Sequence, residues 1–172
     1  MAPTVEGINA DNVTAWLVEH TSGSAPAVPP LQFELITGGH SNLTFRVTDA
    51  QGRKWVLRRP PLHQVLATAH DMSREHKIIE ALGPTEVPVP PVVGLCTDDA
   101  VNGSPFYVME FVDGTVVRDV SIAEQLSLDV RRTAGDSVVS TLAKIHAVDV
   151  DAVGLGDLGK KQDYIARQLR RW

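Results

Sequence analysis

The chain has 172 residues, 43% of them hydrophobic and 22% charged, which is enough apolar material for one packed domain, or one and part of a second. A formal net charge of −5 argues against a general nucleic-acid surface, and no run approaches the roughly 18 apolar residues of a membrane span. A single cysteine, Cys96, excludes an internal disulfide, and the opening MAPTVEGINADNV has neither the basic region nor the apolar stretch of a signal peptide, so a cytoplasmic location is expected.

Residues 9–20 read as a short amphipathic helix capped by Asn9 or Asp11, with Val13, Trp16 and Leu17 on one side. A Gly/Pro/Ser linker, 21–30, follows. The period then switches to two. Leu31, Phe33 and Leu35 alternate with polar residues, and so do Leu43, Phe45 and Val47 beyond the stretch Gly38-Gly39-His40-Ser41-Asn42. DAQG at 49–52 signals a tight turn, and RKWVLRRP forms a third strand stopped by Pro60-Pro61. Residues 67–83 predict a helix ending at Gly83. Two more strands, VVGLCTD and PFYVMEFV, are joined by a turn through Asp98, Asp99, Asn102 and Gly103. Cys96 lies in the first of them and reads as a buried, unreactive thiol. After Gly114 the pattern is helical, with Leu128, Val138, Leu142 and Ile145 as apolar positions and a last helix from Lys160. That helix has no C-cap signal and runs to Trp172, which reads as a cut. Its RQLRRW cluster reads as a solvated face.

Two charges stand out of pattern. Met72, Ile78, Ile79 and Leu82 share a helical stripe, and Glu75 falls on it, where a carboxylate is costly unless paired. On the third strand Lys54, Val56 and Arg58 share one face, and Trp55, Leu57 and Arg59 the other. At most one of Arg58 and Arg59 points between sheet and helix, and an arginine there answers Glu75. The alternatives are a helix-edge Glu75 reaching solvent and a solvent-facing Arg58.

The order of these features resembles the small lobe of the protein-kinase-like fold, and more closely the aminoglycoside phosphotransferase family. The carrying segments are GGHSNLTFRV, WVLRRPP, SREHKIIEAL, VPVPPVVGLC, FYVMEFVDG, LAKIHAVD and YIARQLRRW, spread across roughly residues 30–172. Within the family the chain looks closest to the kinase-like domains fused to acyl-CoA dehydrogenases. The resemblance implies an α+β fold. A five-stranded antiparallel sheet with one helix forms a nucleotide-binding small lobe at 31–112, after an N-terminal helix and linker at 1–30. The first helices of an incomplete helical large lobe follow at 113–172.

The resemblance also implies roles. Gly38, Gly39, His40, Ser41 and Asn42 form a flap over nucleotide phosphates. Arg58 contacts phosphate, and Glu75 positions it. Val56 lies over adenine, with Met109 behind it. The Glu110 carbonyl and Val112 amide bond the base. By themselves the glycine pair is turn chemistry and His40 a solvated loop histidine. The implied activity is transfer of phosphate from ATP or GTP, with Mg²⁺, to a small-molecule hydroxyl.

The departures are equally definite. The flap lacks G-x-G-x-x-G spacing, no G-x-x-x-x-G-K-[ST] occurs, and no His-x-Asp supplies a catalytic loop. The base Asp is expected beyond Trp172, so this segment alone is expected to be inactive. HAVD at 146–149 closes a helix, and GLGD at 154–157 reads as a structural loop. The histidines show no metal-ligand spacing. The alternative function is a non-catalytic nucleotide-binding or protein-interaction module. Large-lobe helices left without their partners imply exposed apolar surface, and with it homodimerisation.

Overall fold

Five strands, β1 (Gln32–Leu35), β2 (Leu43–Thr48), β3 (Lys54–Arg59), β4 (Val92–Cys96) and β5 (Phe106–Glu110), form one antiparallel sheet ordered β1-β2-β3-β5-β4. The structure, a computed structural model, describes residues 5–21, 25–36, 42–62, 71–159 and 162–170. Helix α1 (Ala10–His20) precedes the sheet, α2 (Met72–Leu82) links β3 to β4, and the short α3 (Asp99–Asn102) links β4 to β5. Helices α4 (Val120–Glu124), α5 (Leu128–Ala147) and α6 (Tyr164–Leu169) follow. The expected α+β fold with a five-stranded antiparallel sheet is what the chain adopts.

Alternation along β3 separates the two faces of the sheet. Trp55 and Leu57 join Phe45, Val47, Phe106 and Val108 in a core closed by Val13, Trp16 and Leu17 of α1. Each fully buried aromatic or aliphatic side chain there contributes about 1.5–3 kcal/mol. The Trp16 ring meets Phe106 edge-on with centroids 5.0 Å apart. It lies over Gly94, where a β-carbon would stand 3.4 Å from the indole, at ordinary contact distance. Asn9 caps α1 by accepting from the Asn12 amide, and the amide of Asn9 donates to buried Asn102 at 2.8 Å, which ties α1 to α3.

Arg59 turns to this same face. It is buried and donates to the carbonyls of Gly7 and Pro60, and burial pushes its guanidinium below the ordinary arginine range. Gly7, at φ +86°, passes so close that a β-carbon would stand 2.9 Å from Leu62. The two neighbouring arginines therefore part company, one to each face, as alternation requires.

Several expectations need correction. Helix α2 begins at Met72 with Asp71 accepting from the Arg74 amide; residues 67–70 of the expected helix lie outside the described residues. Its buried side chains are Met72 and His76, while Ile78, Ile79 and Leu82 are only half-buried. The buried line runs from 72 to 76, one turn apart, and takes in a histidine that hydropathy alone passes over. Gly83 ends the helix as expected but in a right-handed conformation, φ −52°, so its backbone angle does not require glycine. The β4–β5 turn contains a helical turn, α3, capped by Asp98. Leu35, expected on the apolar face of β1, is 48% exposed.

No residue of α4, α5 or α6 is buried. Val138, Leu142 and Ile145 of α5 form an exposed apolar line. The 150–159 turn is held to α2 instead, through Lys77 Nζ, which donates to both oxygens of Asp157 at 2.8 and 3.0 Å.

Asp49 organises the β2–β3 turn. Its buried carboxylate accepts from the amides of Val28, Gln51 and Arg53 and from the Arg53 guanidinium. Burial alone would raise its pKa, but these bonds outweigh it and hold the group below the usual carboxylate range. Asp49 therefore stabilises the fold above the ordinary carboxylate pKa of about 3.9, and that contribution is lost as pH falls through the lower folded value. Asp49→Ala is expected to lower stability by about 1–3 kcal/mol at neutral pH by orphaning buried donors. The difference from the parent should narrow in acid. Denaturant titrations at pH 7 and below pH 3 check both; an equal gap at both pH values would refute the assignment.

Candidate functional site

The second face of the sheet carries the polar cluster. Pairing of β3 with β5 sets Arg58 opposite Tyr107 and Val56 opposite Met109. Pairing with β2 sets Arg58 opposite Thr44 and Val56 opposite Arg46. Val56 is buried and Met109 half-buried, a small apolar step beside the charges. Helix α2 packs on this face against β4 and β5, which brings Glu75 over Arg58.

The contact is direct: Arg58 Nε donates to Glu75 Oε2 at 3.1 Å, with both side chains about one-third exposed, 31% and 33%. At that exposure the ion pair adds about 1 kcal/mol at most. Its importance is geometric. By bonding through Nε, Arg58 leaves its two terminal nitrogens without a hydrogen-bond partner among the described residues.

Glu75 has two further donors. Tyr107 Oη donates to Oε2 at 3.1 Å, and Asn42 Nδ2 donates to Oε1 at 2.6 Å. Tyr107 is 1% exposed. Burial pushes its phenol far above the ordinary range; Arg58 pulls the other way, and Glu75 reinforces the rise. The hydroxyl therefore stays protonated and available as a donor. The His76 ring stands edge-on to Tyr107, with centroids 6.2 Å apart.

The sheet ends at Glu110, the last residue of β5 and the partner of Trp55. The Glu110 amide donates to the Pro91 carbonyl at 2.8 Å, and the Phe111 amide to the Lys54 carbonyl at 3.3 Å. In an antiparallel ladder residue 91 would return an N–H to the Glu110 carbonyl. Proline has none, so the ladder offers that carbonyl no donor. Val112 is 68% exposed.

Of the residues singled out from sequence, the structure brings together Asn42, Arg58 and Glu75 in one cluster, and Val56 and Met109 beside it; Glu110 is the last residue of β5 and Val112 lies two residues beyond it. Gly38, Gly39, His40 and Ser41 lie outside the described residues. Tyr107 and Pro91 were not anticipated. Tyr107 was readable in principle: it stands two residues before Met109, hence on the same face, and a buried phenol needs a partner. Pro91 acts only through the β4–β5 register, which no local pattern supplies.

Among the described residues no group of three or more His, Cys, Asp or Glu side chains is placed to hold a metal. Asp157 of GLGD is engaged with Lys77, whose ammonium lowers its pKa, in keeping with a structural loop. A cleft of about 600 Å³ also opens near His20, Arg53, Trp55, Val93 and Phe111. Its cations are already held, Arg53 by Asp49 and the Ala25 and Pro26 carbonyls, Lys54 by Asp113.

Residues 32–172 match the model of the phosphotransferase enzyme family. Acyl-CoA dehydrogenase family member 10 of Mus musculus is 37% identical over 143 residues, covering 83% of this chain and 13% of that protein. Acyl-CoA dehydrogenase family member 11 of Homo sapiens is 33% identical over 165 residues, covering 95% of this chain and 21% of that protein. A crystal structure of a "putative aminoglycoside phosphotransferase" from Ralstonia eutropha JMP134 superposes with a TM-score of 0.75 at 36% identity, over 95% of this chain and 46% of that one. The chain thus spans about a fifth or less of these curated relatives and just under half of the solved one.

The position of Pro91 can be checked without any ligand. Pro91→Ala restores an N–H opposite Glu110, and that new amide is expected to exchange with solvent at least about tenfold more slowly than a free peptide amide, as one added ladder bond implies. Exchange at the free-peptide rate would show that the Glu110 carbonyl does not face residue 91.

Proposed function

The chain belongs to the phosphotransferase enzyme family, and on that footing we propose that it forms the nucleotide-binding part of an enzyme that moves the γ-phosphate of ATP or GTP to the hydroxyl of a small molecule. The observation that carries this reading is the Arg58–Glu75 pair, bonded through Nε with the terminal nitrogens of Arg58 left over. A guanidinium fork held from behind by a carboxylate is suited to bridging phosphate oxygens, because its planar donors match the spacing of two oxygens.

In this reading residues 31–112 are the small lobe and 113–172 begin the large lobe. Val56 and Met109 offer an apolar surface to the base. The Val112 amide donates to a ring nitrogen and the Glu110 carbonyl accepts from an exocyclic amine. An acceptor at that point favours adenine, whose 6-amino group donates, over guanine, whose 6-oxo group accepts; ATP is therefore the preferred donor. Gly38 to Asn42 cover the phosphates with backbone N–H groups. Arg58 orients the transferring phosphate and neutralises charge that develops on it.

Mg²⁺ would neutralise phosphate oxygens during transfer, and the described residues assign it no ligand set, so no role of theirs depends on it. None of the described residues is assigned as the base that orients the acceptor hydroxyl. The acceptor itself is a small alcohol of unassigned class.

The test is phosphotransfer by the intact protein. Arg58→Ala and Glu75→Ala are each expected to lower turnover by about 100-fold or more, the scale of losing one preorganised charge-stabilising donor. Adenosine binding, which needs only Val56, Met109, Glu110 and Val112, should persist. Turnover undiminished in both variants would sink the assigned roles. Nucleotide binding with no transfer to any alcohol would point instead to a non-catalytic nucleotide-binding module.

A further inference from the structure

Glu75 is usually thought of, in a pair such as this, as one partner of one arginine. Here it is the meeting point of three elements. Asn42, immediately before β2, takes Oε1; Arg58 of β3 and Tyr107 of β5 share Oε2. A glutamate side chain one-third exposed is free to rotate unless something fixes it. Tyr107 is anchored in the sheet with 1% exposure and has the His76 ring against its edge, so its hydroxyl fixes Oε2 in space. Asn42, bonding the other oxygen, fixes the plane of the carboxylate. With Oε2 fixed, Nε of Arg58 has one place to point, and the planarity of the guanidinium then determines where the terminal nitrogens lie.

We propose that Tyr107 and Asn42 are positioning residues that, by holding both oxygens of Glu75, set the direction in which Arg58 presents its terminal guanidinium nitrogens to a phosphate group. The ligand in this statement rests on the nucleotide reading above; the geometry does not. Tyr107 as simple core filling predicts the opposite behaviour, since phenylalanine fills the same space.

Two measurements on the intact protein decide it. In calorimetric titrations, Tyr107→Phe and Asn42→Ala are each expected to weaken MgATP binding by about 3- to 10-fold, the scale of one neutral hydrogen bond, with adenosine affinity unchanged. The Tyr107→Phe, Glu75→Gln double variant should bind MgATP no more weakly than Glu75→Gln alone, because both changes break one unit. Independently, the Arg58 Nε–H resonance, assigned by its loss in Arg58→Lys, should exchange with solvent at least about tenfold faster in Tyr107→Phe. Unchanged Nε–H exchange would overturn the proposal, as would additive losses in the double variant or a parallel fall in adenosine affinity. A parent protein that binds neither adenosine nor MgATP would overturn the nucleotide reading, while Nε–H exchange would still decide the positioning role.

Discussion

The central strand β3 imposes the constraint from which the other features follow. It is flanked on both edges, by β2 and β5, so every residue on it must satisfy one face or the other. Period two sends Trp55, Leu57 and Arg59 toward α1 and leaves Val56 and Arg58 facing α2. A slip of one residue would bury Arg58 in an apolar core and expose Leu57. Register here is therefore fixed by the cost of misplacing charge and apolar surface together, and the polar cluster inherits its accuracy from the core behind it.

That dependence explains which parts of the molecule the sequence made legible. The first two strands of the meander were clear because Phe33, Phe45 and Val47 alternate with polar neighbours. The Arg58–Glu75 pairing was legible because each charge was out of place by itself and the two were complementary. Tyr107 was hidden inside PFYVMEFV, where hydropathy reads an unbroken buried strand and says nothing of a hydroxyl. His76 was passed over for the same reason in reverse, as a polar residue whose ring is buried beside Tyr107. The helical turn α3 was obscured by Asp and Asn residues that serve turns and N-caps equally well. The effect of Pro91 depends on a pairing across a bulged β4–β5 register, which only the folded sheet supplies.

The helical segment after β5 shows the converse. Its helices α4 and α5 are well capped, Asp119 and Ser127 each accepting from an amide of the first turn, so local sequence defines where they begin. Local capping does not tell a helix what to pack against, and α5 runs for 20 residues without a buried side chain. Helices without tertiary partners are marginal in water. The stability of this segment is thus expected to be separate from, and lower than, that of the sheet.

Helix α2 holds two grips. Glu75 engages the sheet side through Arg58 and Tyr107, and Lys77 engages the 150–159 turn through Asp157. Positions i and i+2 on an α-helix, such as Glu75 and Lys77, are separated by about 200° around its axis, so the grips lie on nearly opposite sides. A twist of the helix that draws Glu75 deeper toward β3 swings Lys77 in the reverse sense. Helix α2 is in this respect a rocker arm: one rigid rotation about its axis moves its two attachments in opposite directions.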